Sequence, residues 1–338
     1  MTTMSRTTKS SAAETSPATI RRLARHTART MLAAAVLAAV AGSAQAGPFG
    51  DLYEEYQRTR AHGKASLAIA VDNDSLLLNK DDGFYTSGAR LHVQYRLGDG
   101  KQETGFGWRI GQELYTPSDI KLPPALISPR DHPYAGWLYA GAFREVQRAD
   151  GEGWRIGLDI GCLGPCAGGE WTQRRLHSLL NQPLPEGWSR QVRTEWGAVL
   201  YGDYTPVRWT LGEAFDLAPN VHGRFGNIHT DAGVGLTLRG GRLNLLPGQP
   251  TLHGYLRVDA TAVGYNATMQ GGAFSKNDPH TVRPKRLVGE AEAGLAWTSD
   301  SGRVGLRASV VRRSNEVDGL SNAIGAQNFA RILFTWTP

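Results

Sequence analysis

Cysteine is almost absent: two of 338 residues, Cys162 and Cys166, both in the stretch GCLGPCAGGE. With no second pair, a structural zinc site is not supported. No segment beyond residue 46 reaches the roughly 18 to 20 uninterrupted apolar residues that a membrane helix needs, so any membrane crossing has to be made with strands. No Gly-x-Ser-x-Gly elbow occurs, which argues against serine-hydrolase chemistry. No Pro- or Ser-rich linker divides the chain, so one large domain is expected.

The excess positive charge is also smaller than it looks. Six of the 37 Lys and Arg and one of the 31 Asp and Glu lie in the first 46 residues, which leaves 31 against 30, a net +1. In that segment Arg21, Arg22, Arg25 and Arg29 precede an apolar run from Met31 to Gly42, followed by Ala44-Gln45-Ala46. This is the layout of a cleaved signal peptide. Residues 1–46 are therefore read as the export signal and 47–338 as the mature domain, with no nucleic-acid partner. Export implies an oxidising compartment in which Cys162 and Cys166 could pair. Two small residues at a strand end and turn would look the same.

What the mature chain has in abundance is alternation. Leu67, Ile69 and Val71 alternate with Ser66, Ala68, Ala70 and Asp72, and Ala89, Leu91, Val93, Tyr95 and Leu97 alternate with Gly88, Arg90, His92, Gln94 and Arg96. The same period of two recurs around Trp154–Ile160, Leu252–Ala260, Val304–Val310 and Ile332–Trp336. Charges on the inner face separate this pattern from a soluble sandwich. It is the signature of a transmembrane antiparallel β-barrel. About twelve segments are expected, near 65–73, 86–97, 104–115, 135–148, 153–162, 190–202, 205–217, 227–240, 252–265, 285–299, 302–315 and 326–337. The 41 Gly and 29 aromatic residues suit tight strand turns and interfacial anchors. Residues 47–64 are expected to form a short periplasmic helix.

One segment breaks the alternation. From Gly169 to Leu180 the spacing is 3.6, so a short helix is expected in an extracellular loop. Gln173 and His177, four apart, share one of its faces. Asn73 and Asp74 close the first strand while Thr86 opens the second, which puts them at the same rim as that helix. A neutral imidazole can take a proton from water. The hard oxygens of Asn73, Asp74 and Thr86 suit a calcium ion that would stabilise an oxyanion. Water-mediated ester hydrolysis is the chemistry this set fits.

The ordered blocks SLAIAVDND, DDGFYTSGARL, GQELYTP, DHPYAGWLYAG, LDIGCLGPCAGGEWTQRRLH and GWSRQVRTE, from Ser66 to about Glu195, resemble the outer-membrane lipid A 3'-O-deacylase family. RRSNEVDG at 312–319 agrees more loosely. The resemblance implies a twelve-stranded barrel with its site between the outer wall and a loop helix. It also implies calcium-dependent removal of the 3'-linked acyloxyacyl group of lipid A in the outer leaflet, by a monomer acting on lipopolysaccharide. By position His177 is similar to the family's general base, with Gln173 beside it. Asn73, Asp74 and Thr86 match its calcium-site and transition-state positions, and Lys121 its lipid-phosphate lysine.

This chain departs from the family pattern at Pro183, where a glutamate can stand; Glu186 and Glu195 are near but out of register. Ser75 likewise replaces a second acidic residue. A non-enzymatic barrel, either a small pore or a structural protein, is the competing expectation, and acyl transfer between lipids a third.

Overall fold

Strands whose odd and even side chains prefer different solvents, and whose backbone N–H and C=O groups find no water in hydrocarbon, can satisfy both demands only in a sheet without edges. The computed structural model describes residues 48–77 and 83–338, so the expected signal peptide lies outside the described residues. The elements are α1 (Pro48–His62), β1 (Lys64–Asn73), β2 (Phe84–Gly98), β3 (Gln102–Thr116), β4 (Ala135–Arg148), β5 (Gly153–Leu163), α2 (Gly169–Leu180), β6 (Glu195–Thr205), β7 (Trp209–Leu211), β8 (Phe215–Gly226), β9 (His229–Arg242), β10 (Thr251–Asn266), β11 (Leu287–Thr298), β12 (Val304–Arg313) and β13 (Gln327–Trp336). Twelve strands close an antiparallel barrel through β1–β13 and β6–β8 pairing, and β7 only extends β8. From Tyr56 onward α1 belongs to the barrel unit. There Tyr56 packs edge-on against Phe106 and Trp108 of β3, each at 5.7 Å between ring centroids.

Eleven of the twelve expected segments coincide with barrel strands; the seventh does not. The strand expected over 205–217 lies instead at Phe215–Gly226, after the short β7. Pro219 hides it, because a proline inside a run argues against a central strand. The barrel tolerates Pro219 at a change of partners: β7 pairs with Phe215 to Leu217, and β6 with Val221 to Gly226. The missing N–H therefore falls where that edge of β8 has no ladder partner.

The expected parity holds. Phe225, Val234, Leu256 and Leu295 face outward and exposed, as lipid-facing residues must be, while the charged set points inward. Inside, Asp72 accepts from Arg90 at 2.7 Å, Arg331 at 3.3 Å and the Tyr85 hydroxyl at 3.0 Å. Arg331 continues to Glu292 at 2.6 Å and Arg313 pairs with Glu290 at 2.8 Å. Arg109–Asp159, Arg155–Glu145, Arg224–Asp231 and Arg239–Asp216 extend the same scheme around the wall. Above them Tyr85, Tyr115, Trp137, Tyr139 and Phe329 form an apolar cluster at the outer end. The lumen is thus lined by cross-strand ion pairs around a polar cavity of about 460 Å³, with aromatic rings above.

With β1 leading outward, the long connections 74–83, 117–134, 164–194, 267–286 and 314–326 share one rim with the tight turn 227–228, as in outer-membrane barrels. Two of these loops are clasped together: Asp131 accepts from Ser118 Oγ at 2.6 Å, and its backbone carbonyl accepts from His280 Nε2 at 2.8 Å. His132 is fully buried, stacked on Tyr115 at 5.5 Å, and donates from Nδ1 to Pro133 O at 2.6 Å. Burial pushes both histidines below their ordinary 6.5.

Two outcomes follow. Replacing Asp72 with alanine takes from Arg90 the carboxylate it pairs with, leaves Arg331 on Glu292, and is expected to cost about 3 kcal/mol, read as a lower urea midpoint of the detergent-folded barrel. The clasp binds fewer protons folded than unfolded. Its stability is therefore complete above the ordinary imidazole pKa and falls as pH drops below it. Proteolysis of the outer loops should accelerate between pH 7.5 and pH 5, and this acceleration should flatten in a His132→Gln/His280→Gln variant.

Candidate active site

Parity decides where the outer-rim residues point. On β1 the outward set Leu67, Ile69 and Val71 continues to Asn73; on β3 the outward set Trp108, Ile110 and Gln112 continues to Leu114 and Thr116. Between them β2 carries one extra residue: Tyr85 pairs with Tyr115 but Ser87 with Leu114, so Thr86 is bulged. Such a bulge re-aims a side chain, and Thr86 Oγ1 lies 2.7 Å from Thr116 Oγ1. Asn73 stands across from Ser87, next to Thr86. All of Asn73, Asp74 and Thr86 are buried at this corner of the wall. Asn73 Oδ1 accepts from Ser75 N at 2.8 Å and also from Ser75 Oγ. Asp74 accepts from Ser75 N at 2.7 Å and from Gly83 N at 3.2 Å, one bond to each carboxylate oxygen.

Helix α2 lies against the outside of the same wall. The Cys162–Cys166 disulfide closes the turn that leads into it, so the open question of pairing is resolved. Gln112 Nε2 donates to Ala167 O at 2.7 Å, which ties that turn to β3. The helix comes close because Gly169 has no side chain: a Cβ there would sit 2.6 Å from the Trp188 ring and 3.0 Å from Leu114. Its buried face is Gly169, Gln173 and His177, one residue per turn.

The chain reverses through Asn181, whose φ of 53° is left-handed, and returns as a strap over that face. Trp188 Nε1 donates to Gln173 Oε1 at 2.8 Å. This fixes the amide orientation and leaves Gln173 Nε2 buried without a partner. His177 Nδ1 lies 2.6 Å from Pro183 O. A carbonyl only accepts, so Nδ1 carries the hydrogen and Nε2 the lone pair. Trp188 also packs with Leu114, Ile127 and Tyr134 in a small core, and Glu186 N donates to Ile120 O at 3.0 Å. The loop bearing Lys121 is thereby stitched to the strap. Lys121 itself is exposed, its N–H donating to Asp119 Oδ1 at 2.9 Å.

The structure therefore gathers Gln173 and His177 on one face and Asn73, Asp74 and Thr86 at one corner, with the helix packed on β3 and β4 beside it. Three participants escaped sequence reasoning. Trp188 lay within a quoted block but carried no chemical signal of its own, Thr116 pairs through a bulge, and the Pro183 carbonyl is a group that every residue possesses. Glu195 is buried and committed elsewhere: its carboxylate accepts from Asn227 Nδ2 at 2.9 Å, Phe274 N at 2.8 Å and Ser275 N at 2.7 Å.

Comparison with known proteins agrees with this architecture. LpxR from Salmonella typhimurium is similar over 81% of this chain and 100% of its own, at 22% identity and a TM-score of 0.65. The β-domain of the Bordetella autotransporter BrkA aligns over 81% of this chain and 98% of its own, at 12% identity and a TM-score of 0.46. No curated protein sequence matches. The family model of outer membrane protein LpxR matches residues 30–337. The chain, a closed barrel with a helix packed on the outside of its wall, belongs to the LpxR family of outer membrane proteins.

Proposed function

We propose that this protein is an outer-membrane lipid A deacylase that hydrolyses the 3'-linked acyloxyacyl ester with water as nucleophile. The observation that carries the reading is the paired arrangement on α2: an imidazole locked in one tautomer, and one turn away an amide whose N–H₂ is buried with nothing to bond. An unsatisfied buried donor costs about 1 to 3 kcal/mol, a cost expected where a substrate group completes the set.

In this reading His177 Nε2 takes a proton from water as it attacks the ester carbonyl. The Pro183 carbonyl holds Nδ1–H and supports the imidazolium that forms, much as a carboxylate orients a catalytic histidine but without its charge. Nε2–H then returns the proton to the departing sugar alkoxide. Gln173 Nε2, aimed by Trp188, donates to the carbonyl oxygen as it gains charge. Lys121, on the loop sewn to the strap, would meet a lipid phosphate.

Among the described residues no group of three or more His, Cys, Asp or Glu could hold a metal, so calcium would rely on the oxygen-rich corner. The Asp74 carboxylate and the adjacent Thr86 hydroxyl are hard oxygens at this corner, and Asn73 Oδ1 becomes available if Ser75 Oγ turns away. The donor chemistry fits a hard cation, which would add positive charge beside the developing oxyanion. The aromatic cluster across the outer end of the lumen speaks against a conduit.

Two experiments test this. His177→Asn should keep the heat-modifiable folded barrel but reduce release of the 3' acyl group by about 10²-fold or more. Mass spectra of lipid A that are identical for cells expressing the wild type, this variant or no barrel would refute the enzymatic reading. Chelation with EGTA should abolish release by the purified barrel and added calcium restore it, whereas Asp74→Asn should shift the calcium requirement upward. Unchanged activity in EGTA would remove the metal from the proposal while leaving His177 in place.

A further inference from the structure

Nearly every arginine inside the barrel faces a carboxylate. A second group of cations does not. Arg283, Lys285 and Arg286 fall within four residues at the outer end of β11, and none of them pairs with a carboxylate among the described residues. Lys285 Nζ lies 3.2 Å from the neutral Asn322 Oδ1. Arg286 is pinned by Nη1 to two backbone carbonyls of β10, Val263 O at 3.1 Å and Gly264 O at 2.6 Å. With Pro284 and Leu287 they line a cleft of about 420 Å³, whose one carboxylate, Asp318, makes no ion pair with them. Lipid-facing Leu287 follows directly and is 67% exposed, so the cluster stands where the wall emerges from the outer leaflet.

Below Arg286 the lipid-facing wall is hollowed. An apolar groove of about 800 Å³ reaches from Arg286 across β10, β9, β8 and β6. Its floor includes Ala262, Ala232, Gly223 and Gly202, and Phe225 and Leu200 bound it. Its volume lies within the roughly 300 to 1,000 Å³ of small-molecule sites. It shares no lining residue with the α2 site, which lies on β3 and β4.

We infer that this face is a second lipid site, which holds a phosphate-bearing lipid of the outer leaflet with its headgroup phosphate on Arg283, Lys285 and Arg286 and an acyl chain in the groove. Charge complementarity supplies the head contact: three cations without counter-ions meet a phosphate, and arginine does so bidentately. Continuity with the lipid-facing belt supplies the tail contact. The site does not depend on the proposed hydrolysis.

The test is native mass spectrometry of the full barrel in detergent with bis-phosphorylated lipid A, the same lipid A stripped of phosphate, or inorganic phosphate. Wild type should retain one more phosphorylated lipid than Arg283→Gln/Lys285→Gln/Arg286→Gln, whose retention at this site falls roughly tenfold. Ala262→Trp, which fills the groove from the lipid side, should weaken retention as well. Deacylation by both variants should stay at the wild-type rate, so loss of acyl release in wild type would count against the hydrolysis reading alone. Equal retention by wild type and charge variant, or equal retention of the dephosphorylated lipid, overturns the inference. Displacement by millimolar inorganic phosphate with no effect of Ala262→Trp would make this a free-anion site and overturn it too.

Discussion

The period of two in a closed ladder is the constraint on which everything else rests. In hydrocarbon no backbone donor can be left over, so β6 must find β8 and β1 must find β13. Once the ladder closes, each residue's parity fixes whether it meets lipid or lumen. Asp72 is inside and Asn73 outside because they are neighbours, not because of any local preference. The ion-pair lattice through Arg331 and the rim corner at Asn73 are two readings of one strand. A single-residue slip would exchange them, placing Asp72 in lipid without Arg90. The bulge at Thr86 is the one place in this corner where parity is broken, and it delivers a hydroxyl to the outer face that strict alternation would have pointed elsewhere.

Parity also explains why α2 packs outside the wall. The outer end of the lumen is occupied by Tyr85, Tyr115, Trp137 and Phe329, so a loop helix whose buried face is Gly169, Gln173 and His177 has only the lipid-side surface to cover. Leu114 and the bare backbone at Gly169 provide it. The helix leaves Trp171, Leu179 and Leu180 exposed. A substrate confined to a bilayer diffuses to such a site sideways and never needs the lumen, which can then be spent on stability.

Most of the fold was legible because alternation repeats: β1, β2, β5, β10 and β13 could be read almost residue by residue. The seventh strand was displaced because Pro219 imitates a turn, and only the partner change between β7 and β6 makes that proline harmless. Helix α2 was legible from its 3.6 spacing and the lack of Gly and Pro within EWTQRRLHSLL. The candidate site was legible in residue identity and not in wiring. Side-chain chemistry marks His177 and Gln173, but a backbone carbonyl carries no mark in a sequence.

Pro183 shows what that blindness conceals. Read as a letter, it is the loss of a glutamate near His177. Read as a position, it is a carbonyl oxygen 2.6 Å from Nδ1. The two solutions differ in electrostatics rather than in geometry. A carboxylate would hold the imidazole and also raise its basicity by its charge, whereas a carbonyl dipole holds it equally well and shifts it less. Proline restricts its own φ and the residue before it, so the strap presents that oxygen with little conformational freedom left to lose. The oxygen that meets Nδ1 is therefore a rigid neutral acceptor, set beside a corner built from Asp74.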